Sequence, residues 1–192
     1  MTKLCLVRHG QTDWNIQGRW QGHADPPLNA VGLEQAGQLS ASLAHEHFSA
    51  IYSSDLQRAR FTAEAVARFH GLPVHADPRL RELNMGAWEG KLVTEIPVLF
   101  PASWEERQRD PLGSRPPGGE SVQELAARII PAISGICAEH AATDQLLIVS
   151  HGLALATFLC HVESRPLVEA YLRIPHNATP VYVEWSPQEI NQ

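Results

Sequence analysis

Short apolar runs separated by stretches of helical period set the rhythm of this chain. Lys3–Val7 (KLCLV), Ala50–Ser53 (AIYS), Leu146–Val149 (LLIV) and Val181–Trp185 (VYVEW) have the length and composition of strands. Between them the apolar positions recur every three or four residues. Asn29 is placed to cap a helix running to about His47, with Leu33, Ala36, Leu39 and Leu43 on one face. A second helix runs from about Leu56 to Phe69 and is stopped by Gly71 and Pro73. Ser121 and Glu124 form a capping box that opens a third helix to about His140, with Pro131 as a potential kink. Gly152 to Val162 is a fourth. Strands alternating with helices predict an α/β three-layer sandwich built on a mostly parallel sheet. Glu82–Gly90 is turn-rich around Trp88. Residues 91–119 hold Pro97, Pro101, Pro111, Pro116 and Pro117 with Gly113, Gly118 and Gly119, which predicts a short helix and loops serving as a lid.

The 192 residues suit a single domain, 1–192, without repeat or linker. A hydrophobic share of 44% with 19% charged residues is globular. A net charge of -6 argues against nucleic acid as a partner, though not against a small anion in a local pocket. Cys5, Cys137 and Cys160 lie far apart in apolar stretches without C-x-x-C spacing, so buried free thiols are expected rather than a metal or redox site. Free thiols fit a reducing cytoplasm. No segment approaches the roughly 20 apolar residues of a membrane span, and the N-terminus enters a strand directly. The expectation is a soluble cytoplasmic protein with no membrane partner.

The chemistry concentrates where strands end. "LVRHGQTDWN" (residues 6–15) puts Arg8 and His9 directly after the first apolar run, and "LIVSHG" puts His151 and Gly152 after the third. Ligands of such sheets bind outside the carboxyl ends of the strands, so neighbouring strands would bring the two histidines into one cleft. Ser53-Ser54 ends another strand and leads into the helix carrying Arg58. Two arginines and two histidines suit a phosphate. Guanidinium is a planar, bidentate donor to its oxygens, one neutral imidazole can attack phosphorus, and a second can donate to oxygens that gain charge. Asn15 and Thr12 add neutral donors. Expelling an alkoxide calls for a general acid, for which Glu82 in "LREL" is the candidate. Gly10 is read as allowing the backbone close to the phosphate.

These segments, with "SSDLQRARFTAEAV", "RELNMGAWEG" and "PGGES", resemble the motifs of the histidine phosphatase superfamily, the phosphoglycerate-mutase-like fold, in the family's order from residue 6 to residue 152. The resemblance implies a central mixed sheet flanked by helices, with no metal and no cofactor. It gives His9 as the histidine that is transiently phosphorylated and Glu82 as the proton donor. Arg8, Arg58, His151 and Asn15 then hold the phosphate, with Gly152 beside them. Gln21, Gly22 and His23 fall in a loop that the family uses at the pocket rim, with Thr12 as a further rim candidate. Arg60 is discounted because it lies about 200° around the helix from Arg58. Glu89 and Glu95 are the competing carboxylates near Glu82. Glu120 reads as an ordinary first-turn acid or as a partner behind the site, and Trp14, Trp20 and Trp88 as packing residues.

The expected function is hydrolysis of a small phosphomonoester, the expected partner, with a homodimer left open. The near alternative is a cofactor-dependent phosphoglycerate mutase. The family's mutases carry a tyrosine a few residues after the proton donor, where this chain has Met85. They also carry an adjacent Arg-Arg pair, where this chain has only scattered Lys91, Arg107, Arg109 and Arg115. A remote alternative is a non-catalytic phosphate-binding module.

Overall fold

The computed structural model describes residues 1–186. Strands β1 (Thr2–Arg8), β2 (Ala50–Ser53), β3 (Val74–Ala76), β4 (Gln145–Ser150) and β5 (Pro180–Trp185) form one sheet in the order β3-β2-β4-β1-β5. The first four run parallel and β5 is antiparallel to β1, so the sheet is mixed and mostly parallel. Its central strands are apolar on both faces, as a sheet covered on both sides requires. Leu4, Leu6, Leu146 and Ile148 face one layer, and Cys5, Val7, Leu147 and Val149 face the other.

Helices α2 (Ala30–Ser42) and α3 (Gln57–His70) cover the second face through Leu39, Ala59, Ala63 and Val66. Helices α6 (Val122–Ala138) and α7 (Gly152–Val162) cover the first through Leu125, Ile129, Leu155 and Phe158. Asn29 caps α2 by accepting from the Gly32 amide, and Ser121 with Glu124 closes both bonds of the capping box on α6. Gly71 ends α3 in the left-handed conformation at φ 65°. α6 continues through Pro131, which lies on its solvent side. All three cysteines are buried free thiols, with burial pushing Cys5 up to about 12.

The structure departs from the expected elements in places. α2 ends at Ser42 rather than near His47, because Ala44-His45-Glu46-His47 offers no apolar residue in register. Leu33 is 58% exposed, and Gly32 takes its place on the buried stripe with Ala36, Leu39 and Leu43. The short helix α1 (Asp13–Gln17), strand β3 and the 3₁₀ turn Leu167–Leu172 were not foreseen. Residues 91–119 contain α4 (Ile96–Leu99) and α5 (Pro101–Arg109) between loops. No helix among the described residues is long and apolar enough to cross a membrane.

Candidate active site

β4 lies between β2 and β1, so three parallel strands end side by side. Arg8 is opposite Ser150 in the register, which sets His9 beside His151, their ring centroids 5.2 Å apart. Both histidines are buried, and both take the neutral form. Desolvation holds each well below the ordinary value of 6.5, and the guanidinium charges of Arg58 and Arg8 press in the same direction.

The tautomer of His9 follows from its partner. Nδ1 lies 2.7 Å from the Gly10 carbonyl, which only accepts, so Nδ1 carries the hydrogen and Nε2 keeps a free lone pair. Asn177 donates to the His9 carbonyl at 2.7 Å, and the His9 amide donates to Ser150, so the backbone is held from both sides. For His151, Nε2 is 2.8 Å from Ser54 Oγ, which already accepts from the Leu56 amide. Among the described residues the Ser54 hydroxyl has no other acceptor within reach, so its hydrogen goes to His151 Nε2, which leaves Nδ1–H as a buried donor.

Arg8 spends Nη1 on the Pro175 carbonyl, and Arg58 spends its two Nη groups on the Ala24 and Gly22 carbonyls. The Nε of each is buried without an acceptor. Orphaned buried donors cost about 1–3 kcal/mol each, and three of them around one imidazole mark a place for an oxyanion. Burial pushes Arg58 down to about 10, so it stays charged at neutral pH. Asn15 adds a fourth donor. Its Oδ1 accepts from both the amide and the hydroxyl of Thr12, so its NH₂ faces the cavity that Asn15 lines.

Glu82 closes the pocket. Its carboxyl oxygens accept from the Leu83, Leu153 and Ala154 amides at 2.9–3.0 Å, which seats the group on the N-terminus of α7. It is the one acid among the described residues that line the cavity. The competing carboxylates are committed elsewhere. Glu89 Oε1 accepts from the His23 and Met85 amides, and Glu95 accepts from Leu92.

The cavity of ≈250 Å³ brings together Arg8, His9, Asn15, Gln21, Gly22, Arg58, Glu82 and Gly152. Thr12, His23 and His151 are not in its wall. Thr12 is fully buried and orients Asn15. The His23 ring donates from Nε2 to the Glu82 carbonyl, so it supports Glu82 from behind. Gly10 has another role than the one expected. A side chain there would meet the Gly32 carbonyl oxygen at 2.6 Å, so the glycine admits α2 rather than a ligand. Gly152 likewise makes room for Arg8 and Ile174.

Sequence reasoning missed Arg128, on α6. Its guanidinium donates to the carbonyls of Arg79, Arg81 and Glu82 and is paired with Glu120. Glu120 therefore belongs behind the site, since it also accepts from the Asn84 amide. An arginine within a helical heptad carries no local mark of such a clamp. Trp14 and Trp20 also line the cavity, beyond their packing role.

The fold and pocket thus define a class, an α/β sandwich with a cationic pocket around a buried neutral histidine at the strand ends. The sequence profile of the histidine phosphatase superfamily (branch 1) matches residues 4–191. A protein described as a probable phosphoglycerate mutase GpmB, from Yersinia pestis (strain Pestoides F), is 41% identical over 164 residues, 83% of this chain and 74% of its own. The structure of Bacillus stearothermophilus YhfR is similar at TM-score 0.88 and 33% identity, over 96% of this chain and 91% of that one. The α-ribazole phosphatase of Shigella flexneri is similar at TM-score 0.87 and 29% identity, over 94% and 89%. The chain belongs to the histidine phosphatase superfamily and is an enzyme of that superfamily.

Proposed function

We propose that the protein is a phosphomonoesterase that works through a phosphohistidine on His9. The observation that carries this reading is the hydrogen bond from His9 Nδ1 to the Gly10 carbonyl, which leaves Nε2 unprotonated among buried donors. The Nε2 lone pair forms a bond to phosphorus as the bond from phosphorus to the alcohol oxygen breaks. Arg8, Arg58 and Asn15, which line the cavity, hold the three remaining oxygens, whose charge rises in the transition state, with the buried His151 against His9 behind them. Glu82 transfers its proton to the leaving oxygen, a contribution of about 10²–10⁴-fold. Water then attacks phosphorus, the bond between nitrogen and phosphorus breaks, and Glu82 takes the water's proton. The sum is ester plus water giving alcohol plus inorganic phosphate, with the residues restored.

Hydrolysis is favoured over mutase chemistry by the wall of the cavity. Met85 stands where the family's mutases carry a tyrosine, and the wall has no adjacent pair of arginines for a phosphoglycerate carboxylate. The mutase reading has one observation behind it, the likeness to the Yersinia protein. Brief incubation with a labelled phosphomonoester, followed by alkaline quench, traps an acid-labile label that maps to His9 and is absent from His9→Ala. A label on serine or aspartate overturns the mechanism. Isomerisation of 3-phosphoglycerate primed by 2,3-bisphosphoglycerate, without net phosphate release, establishes the mutase instead.

A further inference from the structure

The chain reverses sharply beside the end of β1. Asn177 bridges Arg8 in the parallel sense, and by Pro180 the pairing with β1 is antiparallel. In the turn between them the Thr179 amide donates to the His176 carbonyl, and Ala178 stands at φ 48°, in the left-handed region. The other non-glycine residue with positive φ among the described residues, Ser164, follows the end of α7, where that conformation is ordinary. Ala178 has no helix end to serve. Backbone held in such a region persists only where its surroundings fix it, and it gathers at functional sites. Here the surroundings are the strand end itself. The Ala178 amide donates to the Arg8 carbonyl at 2.8 Å, and Arg8 Nη1 donates to the Pro175 carbonyl at 3.1 Å.

From this turn Asn177 Nδ2 donates to the His9 carbonyl at 2.7 Å. The same peptide is fixed at its other end, where the Gly10 amide donates to Thr62 Oγ1 at 3.0 Å and the Thr62 hydroxyl donates in turn to the Arg58 carbonyl at 2.8 Å. Two side chains from distant parts of the chain thus pin the one peptide plane between His9 and Gly10. The tilt of that plane sets where the Gly10 carbonyl stands, and this carbonyl is the acceptor of His9 Nδ1–H. Asn177 is not in the wall of the cavity. It lines a groove behind it with Gln35 and Leu39, so it acts on His9 and not on a substrate. Without its amide the plane keeps one anchor and can swing, and a shift near 1 Å at the ring's acceptor misdirects the Nε2 lone pair.

We infer that Asn177 is a positioning residue for the reaction, aimed at the His9 carbonyl by the left-handed backbone of Ala178. This rests on the reading of His9 as the nucleophile and adds to it the group that aims the ring. The test uses p-nitrophenyl phosphate as substrate and inorganic phosphate as competing anion. Asn177→Leu keeps the volume and removes the donor. The expected result is a fall in kcat/KM of about 10–100-fold with the inhibition constant of phosphate within about twofold, because the anion-holding groups stay and only the attack is misdirected. Ala178→Val reaches the same side chain by another route, since a β-branched residue does not hold a left-handed turn, and lowers kcat/KM over the same range. The double variant is no worse than the worse single, as both break one bond. Ala178→Gly adopts the turn freely and keeps kcat/KM within about threefold. A wild-type kcat/KM in Asn177→Leu overturns the inference. So does a fall matched by an equal rise in the phosphate constant, which would make Asn177 a support of the whole pocket. In either case a label on His9 in the wild-type protein leaves the phosphatase reading intact. No phosphate release by the wild-type protein, with no label on His9, overturns both.

Discussion

Gly10 and Gly32 face each other where β1 leaves the sheet and α2 passes over it. A Cβ on Gly10 would stand 2.6 Å from the Gly32 carbonyl oxygen, and one on Gly32 would stand 2.1 Å from that of Gln11. These are backbone atoms, so relief requires the segment itself to move. Gly10 also donates its amide to Thr62 Oγ1 and offers its carbonyl to His9 Nδ1. A displacement there reaches the His9 ring through one hydrogen bond. Gly10→Ala is therefore expected to cost about 1–3 kcal/mol by overpacking, or roughly 2–12 °C in Tm at this chain length. It should also lower kcat by more than it raises KM, because the tautomer of His9 is no longer fixed. Thermal melts and steady-state kinetics on the purified variant check both. A drop in Tm with unchanged kcat would separate the glycine from the site. The residue was legible as special in the sequence, but its reason was not. Nothing in "RHGQ" says which distant backbone will cross it.

At the scale of elements, legibility followed the strength of the apolar rhythm. β1, β2, β4, α3, α6 and α7 bury whole stripes or both faces, and their sequences say so. α1 buries no residue, and β3 is a three-residue edge strand with two exposed positions, so neither leaves a periodic trace. On α2 the expected face holds at Ala36, Leu39 and Leu43 and fails only at Leu33, because Gly32 holds that buried position and contributes no hydrophobic signal. His9, His151, Arg8 and Arg58 were legible because three strand ends repeat one idea. Arg128 was not, since its role is to tie α6 to a loop 46 to 49 residues earlier. That clamp holds the backbone on which Glu82 sits, while the Glu82 carboxylate rests on α7. Arg128→Met keeps the buried stem and removes the clamp. The expected result is a fall in kcat of about tenfold or more with KM within about twofold, since displacements near 1 Å cost up to about 100-fold. Arg128→Lys restores little, because one ammonium cannot span three carbonyls and a carboxylate. A variant with wild-type kcat would show that Glu82 is positioned by α7 alone.

The whole molecule carries a charge of -6, yet it gathers Arg8, Arg58 and two histidines at one end of its sheet. Folding must therefore desolvate cations beside one another, and the histidines respond by staying neutral. Their folded-state affinity for protons lies well below the ordinary value of 6.5 that they regain on unfolding. Below about pH 6.5 the unfolded chain takes up protons that the folded chain refuses, so stability falls as pH falls. The same sign holds for half-buried His23, which burial also lowers. Tm should therefore decline from pH 7.5 to pH 5, and the decline should be shallower in a His9→Asn, His151→Asn double variant. Inorganic phosphate bound in the pocket places negative charge beside both rings and satisfies the buried donors of Arg8, Arg58 and His151. Millimolar phosphate should then raise Tm at every pH where the fold persists, by the amount that ligand binding adds to folding. It should do so less in Arg58→Met, where the pocket loses a cation. The acid-side slope and the phosphate effect have one origin, because the pocket is unfavourable to the fold until an anion fills it. If the double variant kept the full acid loss while phosphate still stabilised the wild type, the titrating groups would lie elsewhere and the two effects would be independent.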